Sequence, residues 1–342
     1  MMKLPLHQLR PKSIALIKPS ALGDVVHTLP VLHALRHGFP DAKITWIINR
    51  NLEPLLLGHP DLDETLPFDR RGGIRSALRL ARELSQRRFD LVLDLQGLLR
   101  TGLMCAATQS PRRVGLSSGR EGSRWFYSDL IVDDLNLHAV DRYWRFAEAL
   151  GIGKTPKVFH LAIPSHARAW ANQFRCEPPI IIISPGSRWA TKRWPHFADL
   201  VNQAEHKFGG TAILVGSPDE VPLSTNLAER IRGKCLDFTG KTTLPQLAAL
   251  LERADVVLAN DSGPLHLAAA LGRPVVAPYT CTTAKRHGPY FQAGAVESAI
   301  WCRGSYFKRC ARLECMAELT PDRLWPVLDE VLTRWASRSR TA

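Results

Sequence analysis

The chain lacks the short motifs that mark several common enzyme classes. No apolar run is followed by Gly-x-Gly-x-x-Gly, the turn that holds the diphosphate of a dinucleotide, which argues against an ordinary dehydrogenase. The phosphate loop Gly-x-x-x-x-Gly-Lys-Ser/Thr is missing as well, and so is the zinc-protease helix His-Glu-x-x-His. Any chemistry must therefore rest on other residues.

Acidic residues and long apolar stretches are also scarce. With 45 basic and 32 acidic residues, the net charge is +13, which favours an anionic partner such as nucleic acid, an acidic membrane surface or a phosphorylated substrate. A solvated basic surface is the alternative. No run approaches the roughly 18 apolar residues that cross a bilayer, and the first residues lack the features of a secretory signal. We therefore expect a cytoplasmic protein, at most peripheral on the cytoplasmic face of the inner membrane.

Cysteines occur without the close pairs that typify metal or redox sites. The chain has seven, none of them in a Cys-x-x-Cys pair, and a cytosolic protein keeps such thiols reduced. Cys302, Cys310 and Cys315 lie close together in the sequence, which favours a structural thiol cluster over a metal site because no fourth ligand is evident. We expect neither a metal ion nor a cofactor.

Short apolar runs alternate with helical periodicity, the pattern of parallel sheets covered on both faces. Strands are predicted at residues 13–17, 44–48, 91–95, 180–184, 212–215, 256–259 and 274–278, and helices at residues 23–37, 74–88, 195–208, 223–232, 244–253, 264–271 and 320–335. Prolines interrupt this pattern between residues 160 and 179. The prediction is an α/β protein with Rossmann-like domains at 1–165 and 178–319. A C-terminal helix at 320–342 is expected to pack back on the first domain.

The first candidate site residue is Asp24, which follows the first strand at the start of the first helix. Ligands bind at the carboxyl ends of the strands in such sheets, so Asp24 is expected on the ligand side. A carboxylate facing a cleft can deprotonate an acceptor hydroxyl. An aspartate at a helix start also caps the helix, and spacing alone does not separate the two roles.

A second candidate is segment 184–195, which joins the first strand of the second half to a helix. Ser187 and Arg188 lie among small residues that leave backbone N–H groups free to meet phosphate. Lys192 adds a mobile positive charge that suits a diphosphate. An exposed basic loop is the alternative.

A third candidate begins at Asp261, again between a strand and a helix. Asp261, Ser262 and Gly263 would lie at the helix start, where backbone amides bind phosphate, and His266 follows one turn later. In the alternative interpretation, Asp261 only caps the helix and His266 is a packing residue.

The remaining candidates carry a weaker signal. Glu220 follows a strand and is placed to hydrogen-bond a ribose, and Thr242 precedes a helix and is placed to line a base pocket. Surface polarity and turn chemistry explain both equally well. Four arginines could form a basic patch that binds an acidic acceptor: Arg70, Arg71, Arg100 and Arg120. In the alternative interpretation, they are scattered surface charges.

Three stretches together resemble glycosyltransferase family 9, the ADP-heptose:lipopolysaccharide heptosyltransferases, over nearly the whole chain. They are Ser-Ala-Leu-Gly-Asp-Val-Val-His-Thr-Leu-Pro at 20–30, Asp-Leu-Gln-Gly-Leu-Leu-Arg at 94–100 and Asp-Ser-Gly-Pro-Leu-His at 261–266. Residues 120–121 and 138–140 further look like the heptosyltransferase I subtype. Ser262 departs from the threonine typical of that subtype, and residues 187–188 depart from its paired threonines, which leaves the exact sugar open.

The resemblance implies a GT-B fold with a cleft between two Rossmann-like domains. It also implies an inverting, metal-independent transfer of heptose from ADP-heptose to the acidic Kdo–lipid A inner core. Asp24 matches the family's general base and Lys192 its diphosphate-binding lysine. The resemblance assigns donor contacts to Ser187, Arg188, Glu220, Thr242, Asp261, Ser262, Gly263 and His266, and acceptor contacts to Arg70, Arg71 and Arg120.

Two other function classes fit part of the sequence. A GT-B enzyme that epimerises nucleotide sugars would keep the donor site and need no lipid acceptor. A nucleic-acid binder would explain the charge, but the chain has no RNA-binding aromatic motif, zinc-finger spacing or clear basic recognition helix. We therefore expect no nucleic-acid partner, and the sequence makes no prediction of oligomeric state.

Overall fold

The protein is described by a computed structural model, which covers residues 3–339. The chain divides into two compact units, with the first ending at Ala162 and the second beginning at Ile163. The boundary falls close to the predicted end of the first domain. Residues 166–177, which the prediction left between the two domains, belong to the second unit and include most of the helix Ser165–Asn172.

The first unit is a six-stranded parallel sheet flanked by helices. The strand order is β3-β2-β1-β4-β5-β6. The strands are β1 Ser13–Ile17, β2 Lys43–Asn49, β3 Glu64–Phe68, β4 Leu91–Asp94, β5 Arg112–Leu116 and β6 Asp129–Ile131, and the helices are α1 Leu22–Gly38, α2 Gly73–Gln86, α3 Leu99–Ala107 and α4 Ala139–Ala149.

The second unit repeats this topology. The strand order is β12-β11-β10-β7-β8-β9, so the first strand along the chain again lies in the middle of a parallel sheet. Its strands are β7 Ile180–Ser184, β8 Thr211–Leu214, β9 Cys235–Asp237, β10 Val256–Ala259, β11 Val275–Tyr279 and β12 Ala295–Glu297. Its helices are α5 Ser165–Asn172, α6 Phe197–Phe208, α7 Val221–Arg230, α8 Leu244–Glu252, α9 Gly263–Ala270, α10 Ala284–His287, α11 Glu314–Glu318 and α12 Pro321–Ser339.

The central strands are continuous apolar runs because both of their faces are covered. Every residue of β4, β7 and β10 is buried, as expected for the interior of a parallel sheet flanked by helices. The strands β3 and β9 are only half-buried and carry polar side chains. The α/β class and the pair of Rossmann-like units predicted from the sequence are therefore confirmed.

The C-terminal helix α12 packs within the second unit. Leu324, Leu328 and Leu332 follow one another at helical spacing, are fully buried, and join a core cluster that includes residues of α6. The sequence analysis placed this helix on the first domain. Its buried face belongs instead to the second unit, because three leucines on one stripe of a helix must meet an apolar partner and α6 supplies it.

The topology creates one ligand-binding edge in each unit. In the first unit, β2 lies on one side of β1 and β4 lies on the other side. In the second unit, β8 lies on one side of β7 and β10 lies on the other side. Loops diverge at such a switch point and open a crevice beyond the carboxyl ends of the strands. Asp24 follows β1, and segments 184–195 and 260–263 follow β7 and β10. Within the part of the chain that the structure describes, no helix combines the length and apolarity that a membrane span requires.

Candidate active site

Asp24 lies in the first turn of α1, directly beyond the carboxyl end of β1. Its Oδ2 accepts a hydrogen bond from the backbone N–H of Ala21 at 3.1 Å, so the carboxylate does cap the start of the helix. Its Oδ1 accepts a second bond, at 2.8 Å, from the hydroxyl of Tyr143 on α4. The side chain remains 36% exposed. Capping and access to a substrate are therefore compatible in this residue.

A buried lysine, Lys18, lies close to the carboxylate of Asp24. Lys18 is only 2% exposed, and its Nζ donates to the Tyr143 hydroxyl at 2.7 Å and to the carbonyl oxygen of Leu95 at 3.0 Å. The same Nζ lies 3.6 Å from Asp24 Oδ1. Burial lowers the pKa of Lys18, although the nearby carboxylates of Asp24 and Asp94 oppose that shift.

Tyr143 connects the lysine to the carboxylate. Burial and the charge of Asp24 hold the pKa of Tyr143 well above its ordinary value, so the phenol stays protonated and donates to Asp24. The sequence analysis missed both Lys18 and Tyr143. The only local signal was a lysine placed directly after a buried apolar strand, and Tyr143 lies far away in the sequence.

A second buried carboxylate shapes the neighbouring loop. Asp94 ends β4, and its Oδ1 accepts the backbone N–H groups of Gln96 and Gly97 at 2.8 and 3.1 Å. Its Oδ2 accepts the hydroxyl of Tyr127 at 2.7 Å. Burial raises the pKa of Asp94 in spite of these bonds. Asp94, the first residue of the motif at 94–100, thus stabilises the turn that leads into α3. The rest of the motif forms this turn and the first residues of α3.

Two of the predicted acceptor arginines converge beside this turn. Burial lowers the pKa of Arg100, and the positive charge of Arg70 lowers it further while Glu121 opposes the change. The Nε of Arg100 is buried and has no hydrogen-bond partner among residues 3–339. Arg120 is exposed, and its backbone N–H donates to the Gly97 carbonyl oxygen at 2.9 Å, which places it on the same loop cluster.

Arg71 is the least constrained of the four. It is exposed, and its backbone N–H donates to Asp69 Oδ1 at 2.9 Å in the turn before α2. The structure therefore brings Arg70 and Arg100 within electrostatic reach, adds Arg120 through its loop, and leaves Arg71 at the adjoining surface.

In the second unit, Lys192 and Asp261 form a buried ion pair between the two predicted donor segments. Lys192 Nζ lies 2.6 Å from Asp261 Oδ2 and 3.4 Å from the Asp261 carbonyl oxygen. The side chains are 15% and 6% exposed. Thr282 donates to the same Oδ2 at 2.8 Å, and His266 Nε2 lies 3.3 Å from Oδ1. These partners hold the pKa of Asp261 far below its ordinary value despite the opposing effect of burial.

The start of α9 completes this group. Ser262 is the N-cap residue and Gly263 the first residue of the helix, so the unpaired N–H groups of the first turn lie next to the ion pair. The hydroxyl oxygen of Ser262 is buried, and nothing in the described chain hydrogen-bonds to it. His266 is buried one turn into the helix. The predicted packing role of His266 and a role beside the ligand thus coexist.

The segment after β7 curves around the lysine. Ser187 is buried, and its carbonyl oxygen accepts Arg193 Nε at 2.7 Å, whereas Arg188 is exposed. The indole ring of Trp189 lies 4.6 Å from Lys192 Nζ, a cation–π contact that the sequence analysis did not identify. The side chains of this loop therefore place one positive charge at the carboxyl edge and keep a second, on Arg188, in solvent.

Glu220 lies close to this loop. Its Oε2 accepts the backbone N–H of Ser217 at 2.8 Å, and a Cβ added to Gly186 would meet its Oε1 at 1.9 Å. Gly216 also approaches the carboxylate, with its Cβ position 2.8 Å from Oε2. A side chain at either position would therefore require the Glu220 carboxylate to move. Thr242 is half-buried on the neighbouring loop after β9, which the N–H of Gly240 ties to the Gly216 carbonyl oxygen at 2.9 Å.

All seven cysteines are free thiols. Three of them lie within electrostatic range of Cys315 in the second unit. Burial raises the pKa of Cys315, and so do the nearby thiols of Cys302, Cys281 and Cys310. The sequence analysis grouped only three of these residues, because Cys281 is brought to them by β11.

Comparison with known proteins decides the family. The sequence profile described as glycosyltransferase family 9 (heptosyltransferase) matches residues 77–316, which is more than half of the chain. The chain belongs to glycosyltransferase family 9. This family 9 protein is therefore a glycosyltransferase, and the resemblance drawn from the three sequence stretches is confirmed.

Individual relatives agree with the family assignment. The chain is 31% identical over 296 residues to a lipopolysaccharide core heptosyltransferase of Haemophilus influenzae, covering 84% of both chains. A solved family 9 structure from Veillonella parvula superposes with a TM-score of 0.85 at 25% identity, covering 97% of this chain and 99% of that one. The structure of ADP-heptose lipopolysaccharide heptosyltransferase II of Escherichia coli gives a TM-score of 0.75 at 24% identity, with 95% and 99% covered, and so shares the fold.

Proposed function

We propose that this family 9 glycosyltransferase moves heptose from ADP-heptose to the acidic Kdo–lipid A inner core of lipopolysaccharide, with inversion and without a metal ion. The observation that carries the proposal is the position of Lys192, paired with Asp261, beside the unpaired N–H groups at the start of α9. Support for the substrates comes from similarity to proteins named as a lipopolysaccharide core heptosyltransferase and an ADP-heptose heptosyltransferase.

The donor diphosphate would bind to Lys192 and to the N–H groups at the start of α9. Asp261 keeps Lys192 extended toward the carboxyl edge, and its own low pKa keeps the pair ionised. The departing nucleoside diphosphate gains negative charge as the sugar transfers. A fixed cation and oriented amides stabilise that charge, the task that a divalent ion performs in many other transferases.

Glu220 and Thr242 would recognise the nucleoside. The Ser217 N–H holds Oε2 of Glu220, and the carboxylate lies against Gly186 and Gly216, so it can accept a hydrogen bond from a ribose hydroxyl beside the diphosphate loop. The loop carrying Thr242 is tied to Gly216 on the same edge and supplies the wall for the base. Ser187, Arg188, Ser262 and His266 complete the proposed donor site.

Asp24 would act as the general base in the first unit. The Tyr143 hydroxyl and the Ala21 N–H orient the carboxylate, which is 36% exposed and therefore accessible to an acceptor hydroxyl. Taking that proton as the hydroxyl attacks the anomeric carbon makes a direct, inverting displacement possible. Replacing Asp24 with Ala should nearly abolish turnover and leave ADP-heptose affinity intact.

The acidic acceptor would be held by the predicted arginines. Arg70 and Arg100 repel each other, and the buried Nε of Arg100 lacks a hydrogen-bond partner in the described structure, an arrangement that an anion would relieve. A carboxylate such as that of Kdo matches the planar fork of a guanidinium. Arg71 and Arg120 would extend the same positive surface.

We further propose that α2, α3 and the turn Ser123–Phe126 approach the membrane surface that carries the lipid acceptor. Ile74, Leu78 and Leu103 are 76%, 64% and 52% exposed, and Trp125 is 88% exposed. The helix α2 packs on α3, and α3 packs on the turn. Exposed apolar side chains among basic residues are typical of proteins that attach peripherally to anionic lipids. The arginines of α2 are Arg75, Arg79 and Arg82.

Vesicle binding tests this attachment. The double variant Ile74→Ser/Leu78→Ser should lose co-sedimentation with anionic vesicles. Trp301→Ala, which removes a side chain that is 83% exposed in the second unit, should retain it. Equal binding by both variants would contradict the assigned surface.

Product analysis tests the reaction itself. The protein is incubated with ADP-heptose and Kdo–lipid A, beside GDP- and UDP-sugars, with and without EDTA, and the products are identified by mass spectrometry. We expect a heptose added to the acceptor only with ADP-heptose, unaffected by EDTA. Transfer only from another nucleotide sugar would overturn the donor, and epimerised sugar formed without lipid would replace the proposal by the epimerase alternative.

A further inference from the structure

Two histidines and an aspartate meet in the first unit, away from the residues assigned to transfer. His33 lies on α1, Asp61 precedes β3, and His160 follows α4. His33 Nδ1 and His160 Nδ1 lie 3.0 and 3.1 Å from the same oxygen, Asp61 Oδ2. One nitrogen from each ring and one carboxylate oxygen all lie within 4.8 Å of one another. Among residues 3–339, no other group of three or more such side chains meets this distance.

A third histidine holds this His–Asp cluster, defined as His33, Asp61 and His160, in place. His59 is buried; its Nδ1 accepts the backbone N–H of Asp61 at 3.1 Å, and its Nε2 donates to the His160 carbonyl oxygen at 3.0 Å. These two bonds require a single neutral tautomer with the proton on Nε2. His59 therefore fixes the two ligand-bearing segments relative to each other and is not itself a ligand.

We propose that the His–Asp cluster binds a divalent first-row transition ion such as Zn²⁺. Two neutral imidazoles and one carboxylate form a donor set that such ions prefer over Mg²⁺ or Ca²⁺. Ligand atoms in a tetrahedral zinc site lie about 3.3 Å apart, given metal–ligand bonds of about 2.0–2.1 Å. The two nitrogen–oxygen separations therefore need to lengthen by only a few tenths of an ångström, as each ring shifts its proton from Nδ1 to Nε2 and the ion takes the place of that proton at Nδ1.

The burial of the ligands suits a bound ion with an entry path. The side chains of His33 and Asp61 are 8% and 9% exposed, whereas that of His160 is 43% exposed. His160 thus leaves an open side through which the ion enters and at which water completes the coordination. His59 supplies the outer support that ligands of bound metals usually have.

The site would serve stability and not the transfer reaction. His33 lies nine residues after Asp24 on the same helix, which separates them by about 13.5 Å at about 1.5 Å per residue. An ion at the cluster would join the second half of α1 to the segment before β3 and to the segment after α4. His160 also lies two residues before the end of the first unit, so the ion would anchor the last part of that unit's chain.

Cobalt titration of the full-length protein tests the site. Metal is removed with a chelator and the protein is titrated with Co²⁺, since cobalt bound by nitrogen and oxygen gives visible absorption without the thiolate charge-transfer band that cysteine ligands produce. The wild type should bind one more Co²⁺ of this spectral type than His160→Ala. His166→Ala removes an exposed histidine of α5 outside the cluster and should bind as the wild type does.

Two further measurements complete the test. Zn²⁺ should raise the Tm of the wild type and of His166→Ala but not that of His160→Ala, because an ion that binds only the folded state stabilises it by mass action. His59→Gln should bind about 10- to 100-fold more weakly while retaining the stoichiometry. If His160→Ala is unfolded by circular dichroism, His160→Gln takes its place. Identical cobalt spectra, stoichiometry and Zn²⁺-dependent Tm in the wild type and the His160 variant would overturn the proposal.

Discussion

Tyr143→Phe is the sharpest test of how the first unit holds its proposed base. The change removes one hydroxyl, which donates to Asp24 Oδ1 at 2.8 Å and accepts from Lys18 Nζ at 2.7 Å. The aromatic ring remains, so packing on α4 is preserved. Asp24 keeps the Ala21 N–H, and Lys18 keeps the Leu95 carbonyl oxygen and the Asp24 carboxylate 3.6 Å away.

The size of the effect follows from the charge on both partners. A hydrogen bond to a charged group contributes about 1.5–3 kcal/mol. If the bond to Asp24 orients the base in the transition state, its loss should lower kcat about 10- to 100-fold, at about 1.4 kcal/mol per factor of ten. The free energy of unfolding should fall by about 1–3 kcal/mol, because a buried lysine loses a partner.

Steady-state kinetics with ADP-heptose and acceptor, together with calorimetric ADP binding, measure these effects. We expect kcat to fall while the ADP affinity stays at the wild-type value. Tyr127→Phe is the matched control, because its hydroxyl also donates to a buried carboxylate, Asp94 Oδ2, at 2.7 Å. It should cost similar stability and leave kcat nearly unchanged. If Tyr143→Phe destabilises the protein as the control does but keeps full kcat, the proposed positioning of Asp24 is refuted.

Three other changes test the remaining parts of the site. Lys192→Ala should weaken ADP binding, measured by calorimetry, about 10- to 100-fold. It should also lower the free energy of unfolding by about 3 kcal/mol, because Asp261 is left as a buried charge without its cation. An unchanged ADP affinity would exclude a contact between Lys192 and the diphosphate. As the pH rises above 3.8, the free energy of unfolding of Asp94→Asn should increase relative to that of the wild type, because burial raises the pKa of Asp94 and the wild type must ionise a buried carboxyl in that range. Urea unfolding of both proteins across pH 4–8 measures this difference. A difference in unfolding free energy that does not change with pH would contradict the burial argument. Arg100→Ala should raise the acceptor KM about tenfold at unchanged kcat, since one guanidinium–anion contact is lost. The acceptor KM should also depend less on salt concentration than in the wild type. An unchanged acceptor KM would remove Arg100 from the acceptor site.

The limits of sequence reasoning appear in the strands. Buried runs such as residues 256–259 were located to the residue, because both faces of a central parallel strand are apolar and the run is continuous. The strands β3, β5, β6, β9 and β12 were not predicted, since each lies at or next to a sheet edge and carries polar or charged residues. The helix α12 was located, but its partner was not, because a stripe of leucines specifies only that some apolar surface must cover it.

The candidate site divides in the same way. The motif segments around residues 24, 192 and 261 were found because each follows a strand and opens a helix, which local periodicity reveals. The ion pair of Lys192 with Asp261 was not foreseen, although both residues were named, because the pairing depends on β10 lying next to β7. The His–Asp cluster gave no sequence signal, since its ligands lie on three segments, with His33 28 residues and His160 99 residues from Asp61 along the chain.

The sequence by itself determined the alternation of strands and helices, the division into two Rossmann-like units, the family and the segments of the candidate site. These properties are local, because they depend on side-chain periodicity and on short motifs read within a few turns of chain. Only the tertiary structure decided which polar groups come together: Lys18 lies beside Tyr143 and Asp24, and Arg100 lies within electrostatic range of Arg70. Such contacts arise from strand order and helix packing, which bring distant residues together and which no local pattern specifies.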